Sequence, residues 1–544
     1  MKDITIPGGK DAEKARKLMR VFSPLTGKDL PDEYPVARSE EVQYAVEQAT
    51  AVFPVFSGLP GARRADFLVA IGEEILALGD DLIQRAMTET GLPESRLIGE
   101  RGRTIGQLGQ FADLIREGSW VEAILDPADP DRKPFPKPDL RQMLKPLGPV
   151  AVFGAGNFPL AFSTAGGDTA SALAAGCPVI LKAHEGHLGT NALVSRAIRL
   201  AAERTGMPRH VFQYVVGDGY ITSRELVAHP GIKAAGFTGS FSGGKALLQV
   251  ANERPDPIPF FAEMGSTNPV VVLPEAMKSR GDVIGQQLVW SFTLNAGQFC
   301  TNPGLIIVRQ GDGMDEMIAA MHDAVLARQA ELMYGKGIRT NYDARTRDML
   351  EAKGVTLIGK GPDGGPLEGQ ATLARVDAVD FLLQPSLQHE VFGPFSLLVI
   401  CPDDPSVHQV LHALGGQLTA TLMAEPSDIE DRKELLQELV NRCGRLVWNG
   451  VPTGVEVSPA MQHGGPWPAS SDSRFTSVGT QAIRRWVRPV SYQNLPEAFL
   501  PEALQSDNPL KIWRRVCGEW TKEGCLSAGA GGIRDEGSGM RDQE

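Results

Sequence analysis

A chain of 544 residues with 42% apolar and 22% charged residues has the composition of a folded globular protein and is too long for one hydrophobic core. Its net charge of −12 argues against nucleic acid or an anionic membrane surface as partner, since both reward clustered Lys and Arg. No apolar run approaches the ~18 residues needed to cross a bilayer, and the six cysteines, scattered from 177 to 525, form neither a disulfide framework nor metal-ligand spacing. The expectation is a reduced cytoplasmic protein of two or three domains, without a signal-peptide core and with any functional cysteine present as a thiol.

The first twenty residues are charged and expected to be loose. From Ser39 the apolar residues take helical spacing: Val42, Val46, Ala49 and Phe53, then Phe67, Ile71, Ile75 and Leu78, then Leu82, Ile83, Ala86 and Met87, then Ile105, Leu108 and Ile115. Such a helical layer needs a sheet to cover. A Pro- and Asp-rich stretch from 126 to 138 reads as an arm or linker, and residues 141–145 alternate weakly, as an edge strand or intersubunit ribbon would.

Beyond it the period changes. Short apolar strands at 150–153, 177–181, 211–216 and 234–237 alternate with helices at 158–175, 190–204, 222–229 and 242–252. That alternation means βαβ units, a parallel sheet and a doubly wound nucleotide-binding fold. A second α/β region follows, with strands at 270–273, 305–308, 395–400 and 445–448 and helices at 283–294 and 313–330. A basic strand at 484–489 is read as an edge or intersubunit addition, and the Gly-, Ser- and charge-rich tail from about 521 as disordered.

Several short motifs admit both a structural and a chemical reading. Cys300 lies between Ala296-Gly297 and Asn302-Pro303-Gly304, on a turn ahead of a strand; it is either a small buried hydrophobe or an accessible nucleophile. Gly154-Ala155-Gly156 lacks the third glycine of a dinucleotide fingerprint, because Pro159 stands there. Asn157 beyond it is either a helix cap or an amide that donates to an oxyanion. Gly239, Ser240 and Gly244 shape a strand-to-helix turn suited to phosphate or simply capped by serine. Glu263 closes an apolar strand, where a carboxylate is expensive to bury unless used. Lys182 ends another strand at the ligand-binding edge of such a sheet. Glu390 and Phe392 occupy a compact loop before a strand. No His/Cys/Asp cluster shows metal spacing, so no metal is expected.

Together these motifs resemble the aldehyde dehydrogenase superfamily. Six occur in that family's order: Asn157-Phe158-Pro159, Lys182, Phe237-Thr238-Gly239-Ser240, Glu263 with Gly265, Gly297-Gln298-Phe299-Cys300, and Glu390-Val391-Phe392-Gly393-Pro394. Their wording is similar to the branch that contains 2,5-dioxopentanoate (α-ketoglutarate semialdehyde) dehydrogenases, with fatty aldehyde dehydrogenases as relatives. The resemblance implies an α/β fold with a dinucleotide-binding domain (1–127 and 147–264), a catalytic domain (265–470) and an oligomerisation arm (128–146 and 484–500), assembled as a homodimer or homotetramer.

It also implies roles. Cys300 would form a thiohemiacetal and then a thioester, Asn157 would hold the oxyanion, and Glu263 would act as general base. Lys182, Glu185, Gly239, Ser240, Gly244, Glu390 and Phe392 would hold NAD or NADP. Glu185 would repel a 2′-phosphate and favour NAD; the branch's habit, with His184 or His187 nearby, favours NADP. The competing readings are a broad or fatty aldehyde dehydrogenase, a coenzyme-A-acylating enzyme, and a non-catalytic binding protein of the same fold.

Overall fold

The computed structural model describes residues 16–430 and 432–525. The expected disordered tail lies, from 526 on, outside the described residues, as do the first fifteen residues of the expected loose segment. Within range, Leu18–Met19 pairs with Tyr34–Pro35 as a short antiparallel ribbon, and Glu519–Thr521 is a strand. The chain divides into two compact units. One comprises the residues up to Ala112 together with Leu147–Trp486; the other comprises Asp113–Pro146 with the chain from Val487 on.

The first unit holds two largely parallel sheets. One has the order Phe260–Glu263, Ala234–Thr238, Val150–Phe153, Val179–Lys182, Phe212–Val215, all parallel. Numbered along the chain this is 5-4-1-2-3, a doubly wound sheet whose ligands bind beyond the carboxyl ends of its strands. Its strands are buried on both faces, which is why they read as continuous apolar runs. Val42, Val46 and Ala49 of the helix Ser39–Ser57 join Ala151, Ile180 and Ala235 in one core cluster, so the expected helical layer does cover this sheet.

The second sheet has seven strands. Thr356–Lys360 lies antiparallel at one edge; Thr372–Asp377, Phe395–Cys401, Leu305–Arg309, Val270–Val272, Gln417–Met423 and Cys443–Trp448 follow in parallel. Among the described residues no helix is long and apolar enough to cross a membrane.

Three expected elements are corrected, the third in the second unit. The helix expected over 158–175 forms only at Gly167–Ala175; residues 160–165 are turns. Glu100 explains the loss: its Oε1 accepts the amides of Leu160 and Ala161 at 2.8 and 2.9 Å, and Ala155 donates to the Phe162 carbonyl. These bonds hold the chain as a loop in spite of its small-residue composition. Residues 484–486 belong to the 3-10 helix Thr480–Trp486, and the strand is Val487–Gln493. Arg485 Nη2 meets Asp168 Oδ1 at 2.6 Å and Trp486 Nε1 donates to Ser171 Oγ at 2.7 Å, which anchors both side chains on the helix Gly167–Ala175.

The second unit is a five-stranded sheet in the order Val487–Gln493, Leu140–Pro146, Ile124–Asp126, Arg514–Val516, Glu519–Thr521. The strand expected at the edge, 141–145, is therefore interior, and Val487–Gln493 is the edge. Ala123, Leu125, Met143, Leu500, Leu504 and Ile512 form its core.

Candidate active site

The turn carrying Cys300 is rigidly specified. Asn295, Ala296 and Gly297 have φ of 48°, 55° and 63°, three consecutive left-handed residues, and a Cβ at Gly297 would run into the Gly393 carbonyl. The strain is held by side chains. Fully buried Gln298 donates to the carbonyls of Asn295 and Leu332 at 3.1 and 3.2 Å and accepts the Tyr334 amide at 2.9 Å. Beyond the thiol, Asn268 Nδ2 donates to the carbonyls of Cys300 and Asn302 at 2.8 and 2.9 Å.

Cys300 Sγ lies 3.4 Å from His463 Nε2, and His463 Nδ1 lies 2.9 Å from Glu263 Oε2. The second approach is an ionic contact and not an aligned hydrogen bond, since Nδ1 has no hydrogen-bond partner. Ser477 Oγ donates to the same Glu263 oxygen, leaving Oε1 buried without a partner. His463 and Glu263 are 4% and 5% exposed, so the imidazole and carboxylate face each other in a desolvated space where their attraction is strong. Burial opposes charge on His463, but Glu263 and Cys300 outweigh it and push its pKa up to about 10. Burial likewise works against the Glu263 carboxylate, and His463, Ser477 and Arg485 still hold it below the usual range.

His463 went unread in the sequence. It stands between Gln462 and Gly464-Gly465-Pro466, in a stretch with no helical or strand period, 163 residues from Cys300 and 200 from Glu263. The only signal there was a lone imidazole in a glycine-rich loop. For the same reason no metal spacing was visible, although the ligand atoms of Glu263, Cys300 and His463 lie within 4.8 Å of one another.

Asn157 reaches the thiol's turn by donating from Nδ2 to the Gln298 carbonyl at 3.1 Å. An amide has two N–H groups, so one remains for an oxyanion. The main-chain carbonyl of Asn157 accepts Arg96 Nη2 at 2.6 Å.

A cavity of about 1080 Å³ opens at the carboxyl edge of the doubly wound sheet and contains Cys300 in its wall. It gathers Asn157, Gly239, Ser240, Glu263, Glu390 and Phe392, together with His184. Lys182, Glu185 and Gly244 do not line it. Lys182 Nζ is paired with Glu185 Oε1 at 3.0 Å, and the same oxygen accepts the Gly219 amide at 3.0 Å. Gly244 is buried against Met264, where a side chain would collide with the sulfur at 2.7 Å. Ser240 caps the helix Phe241–Asn252, its Oγ accepting the Gly243 amide. Glu390 approaches Gly265 so closely that a Cβ there would overlap Glu390 Oε2, and desolvation pushes the Glu390 pKa up to about 7.

His187 does not face the cavity. It is fully buried, with its ring nitrogens 3.1 Å from Asn191 Oδ1 and from the Ala155 carbonyl. It stacks on His184, whose Nδ1 accepts the Gly186 amide; burial, His187 and Lys182 all hold His184 well below its ordinary pKa.

The volume, the glycine turn at the helix start and the carboxylate near Gly265 fit a dinucleotide. This chain belongs to the aldehyde dehydrogenase family, which residues 10–471 match. It is 52% identical over 500 residues to alpha-ketoglutaric semialdehyde dehydrogenase 2 of Azospirillum brasilense, covering 91% of this chain and 95% of that protein. It is 47% identical over 488 residues to alpha-ketoglutaric semialdehyde dehydrogenase of Acinetobacter baylyi, covering 89% and 92%. Its fold matches that of Staphylococcus aureus betaine aldehyde dehydrogenase in complex with NAD+, with a TM-score of 0.74 at 18% identity over 88% of this chain and 95% of that one.

Proposed function

We propose that the protein oxidises 2,5-dioxopentanoate (α-ketoglutarate semialdehyde) to 2-oxoglutarate with NAD or NADP, through a covalent thioester on Cys300. The observation that carries this reading is the Cys300–His463–Glu263 line at the wall of a dinucleotide-sized cavity. The two relatives that share about half of its residues supply the substrate.

His463, charged by its neighbours, puts a cation 3.4 Å from the sulfur, the counter-charge for the thiolate that attacks. The thiolate adds to the aldehyde carbon, and the free N–H of Asn157 receives the oxyanion. Gly239, Ser240, Glu390 and Phe392, which line the cavity, would hold NAD or NADP, and the bound cofactor would supply the hydride acceptor. Once the sulfur is acylated, it no longer supports the charge on His463. The imidazole gives its proton to solvent, and the neutral ring takes one from the attacking water while Glu263 steadies it from behind; collapse of the tetrahedral adduct breaks the C–S bond, returning the thiolate and releasing the carboxylic acid. The general-base role implied for Glu263 alone is thus shared, with His463 the group nearer the sulfur. A buried base pair beside the thioester favours water over a bulky thiol as acceptor.

The carboxylate of Glu185 and an uncharged His184 favour NAD over NADP. Residues 147–264 with the N-terminal helices serve as the dinucleotide-binding domain, and residues 265–470 serve as the catalytic domain. The edge strand Val487–Gln493, bonded on one side only among the described residues, suits strand addition in a homodimer or homotetramer; light scattering after size exclusion should give a multiple of the chain mass.

The reading is tested by a panel of aldehydes against both cofactors, following the absorbance of the reduced cofactor. The highest kcat/KM should fall to 2,5-dioxopentanoate with NAD. Absence of turnover of this substrate with either cofactor would overturn the substrate assignment.

A further inference from the structure

The sulfur, imidazole and carboxylate of the site are also a set of metal donors. Cys300 Sγ, a ring nitrogen of His463 and a carboxylate oxygen of Glu263 all lie within 4.8 Å of one another. Among the described residues no other three His, Cys, Asp or Glu side chains come together in this way. Cys300 Sγ and His463 Nε2 are 3.4 Å apart. A tetrahedral zinc bound at ~2.3 Å to sulfur and ~2.0 Å to nitrogen keeps two such ligands about 3.5 Å apart. The pair already stands at ligand separation.

Glu263 completes the set. Ser477 occupies its Oε2, while Oε1 is buried without a hydrogen-bond partner. Buried polar atoms are rarely left so, and a bound cation would give Oε1 its partner. The charges also balance. A thiolate and a carboxylate together neutralise a divalent ion, with His463 neutral as the third ligand, and a desolvated space tolerates a neutral site better than an uncompensated charge. Cys300 and Glu263 line the cavity of about 1080 Å³, which gives an ion its way in and a water molecule room to be the fourth ligand. The soft sulfur selects zinc over Mg²⁺ and Ca²⁺, which prefer oxygen alone.

We propose that Cys300, His463 and Glu263 form a reversible inhibitory site for Zn²⁺, which caps the nucleophile while the enzyme is free of substrate. Binding exchanges a proton for the metal. Sulfur binds as thiolate and His463 binds through Nε2 as neutral imidazole, so the proton held between Sγ and Nε2 leaves to solvent as the Zn–S and Zn–N bonds form. No electron moves. A sulfur bound in this way does not add to an aldehyde, and Nε2 takes no proton from water; both functions return when a chelator removes the ion. The inference stands on three side chains and not on the identity of substrate or cofactor, so it is independent of the dehydrogenase reading.

The test uses full-length protein stripped of metal by a chelator and holding neither aldehyde nor cofactor. Excess Zn²⁺ should slow iodoacetamide labelling of Cys300 by at least about tenfold; Mg²⁺ should not, and EDTA should restore the rate. Co²⁺ in place of zinc should give a thiolate-to-cobalt charge-transfer band with the visible bands of a four-coordinate ion, both absent in Cys300→Ser. His463→Asn and Glu263→Gln each remove a ligand, so each should raise the zinc concentration that half-protects Cys300 by at least about tenfold. Labelling of wild-type Cys300 at an unchanged rate in excess zinc overturns the inference whether or not the variants fold, as does a six-coordinate cobalt spectrum without the charge-transfer band. An unchanged half-protecting concentration in either folded variant overturns it too, since the zinc then sits on a thiol without that partner. Aldehyde turnover enters none of these readings, so their failure leaves the dehydrogenase assignment intact.

Discussion

At the scale of single residues, the site depends on a histidine that makes the sulfur and the carboxylate parts of one electrostatic unit. His463→Asn should lower the rate of iodoacetamide labelling of Cys300 at pH 7 by at least about tenfold, because a thiolate formed there loses the cation beside it. Labelling at an unchanged rate would remove His463 from the account. The same unit makes stability depend on pH. The His463 pKa rises from 6.5 to about 10 in the folded protein, so its contribution is fully present below pH 6.5 and is lost as pH climbs toward 10. Glu263 is shifted the other way; its contribution is present above its ordinary 4.5 and lost on acidification. The melting temperature of the wild type should therefore decline between pH 7 and 10, and that decline should be shallower in His463→Asn.

At the scale of elements, the loop between the first strand of the doubly wound sheet and the helix Gly167–Ala175 is set by Glu100. Its small residues read as helix because nothing local marks them otherwise. The determinant is a carboxylate some sixty residues away, which takes the amides of Leu160 and Ala161. Periodicity cannot report a bond of that range. Glu100→Ala leaves two buried amides unpaired and should destabilise the protein by about 2–5 kcal/mol, with loss of turnover as Asn157 shifts. Glu100→Gln keeps an acceptor for both amides, and chemical denaturation should show less than half that loss. Equal losses would mean that charge, not hydrogen bonding, shapes the loop.

At the scale of the molecule, the alternation of strands and helices from residue 150 to 252 was legible because parallel strands buried on both faces are continuous apolar runs; the strand Phe260–Glu263, where the second α/β region was expected to begin, closes the first sheet instead. The strand Gln417–Met423 was not read, since its Gln417, Thr419 and Thr421 interrupt the apolar pattern although every residue in it is buried. The ordered motifs around Asn157, Gly239, Glu263, Cys300 and Glu390 were local enough to read, and the cavity gathers them. His463 and Arg96 were not, because their meaning comes only from what the fold brings beside them. The central claim, acyl transfer through Cys300, is tested most directly by mixing the protein with 2,5-dioxopentanoate and NAD, quenching in acid within one turnover, and measuring intact and peptide mass. The account predicts a 2-oxoglutaryl thioester on the peptide containing Cys300, formed with the burst of reduced cofactor. Turnover with no adduct, or with the adduct on another cysteine, would contradict it.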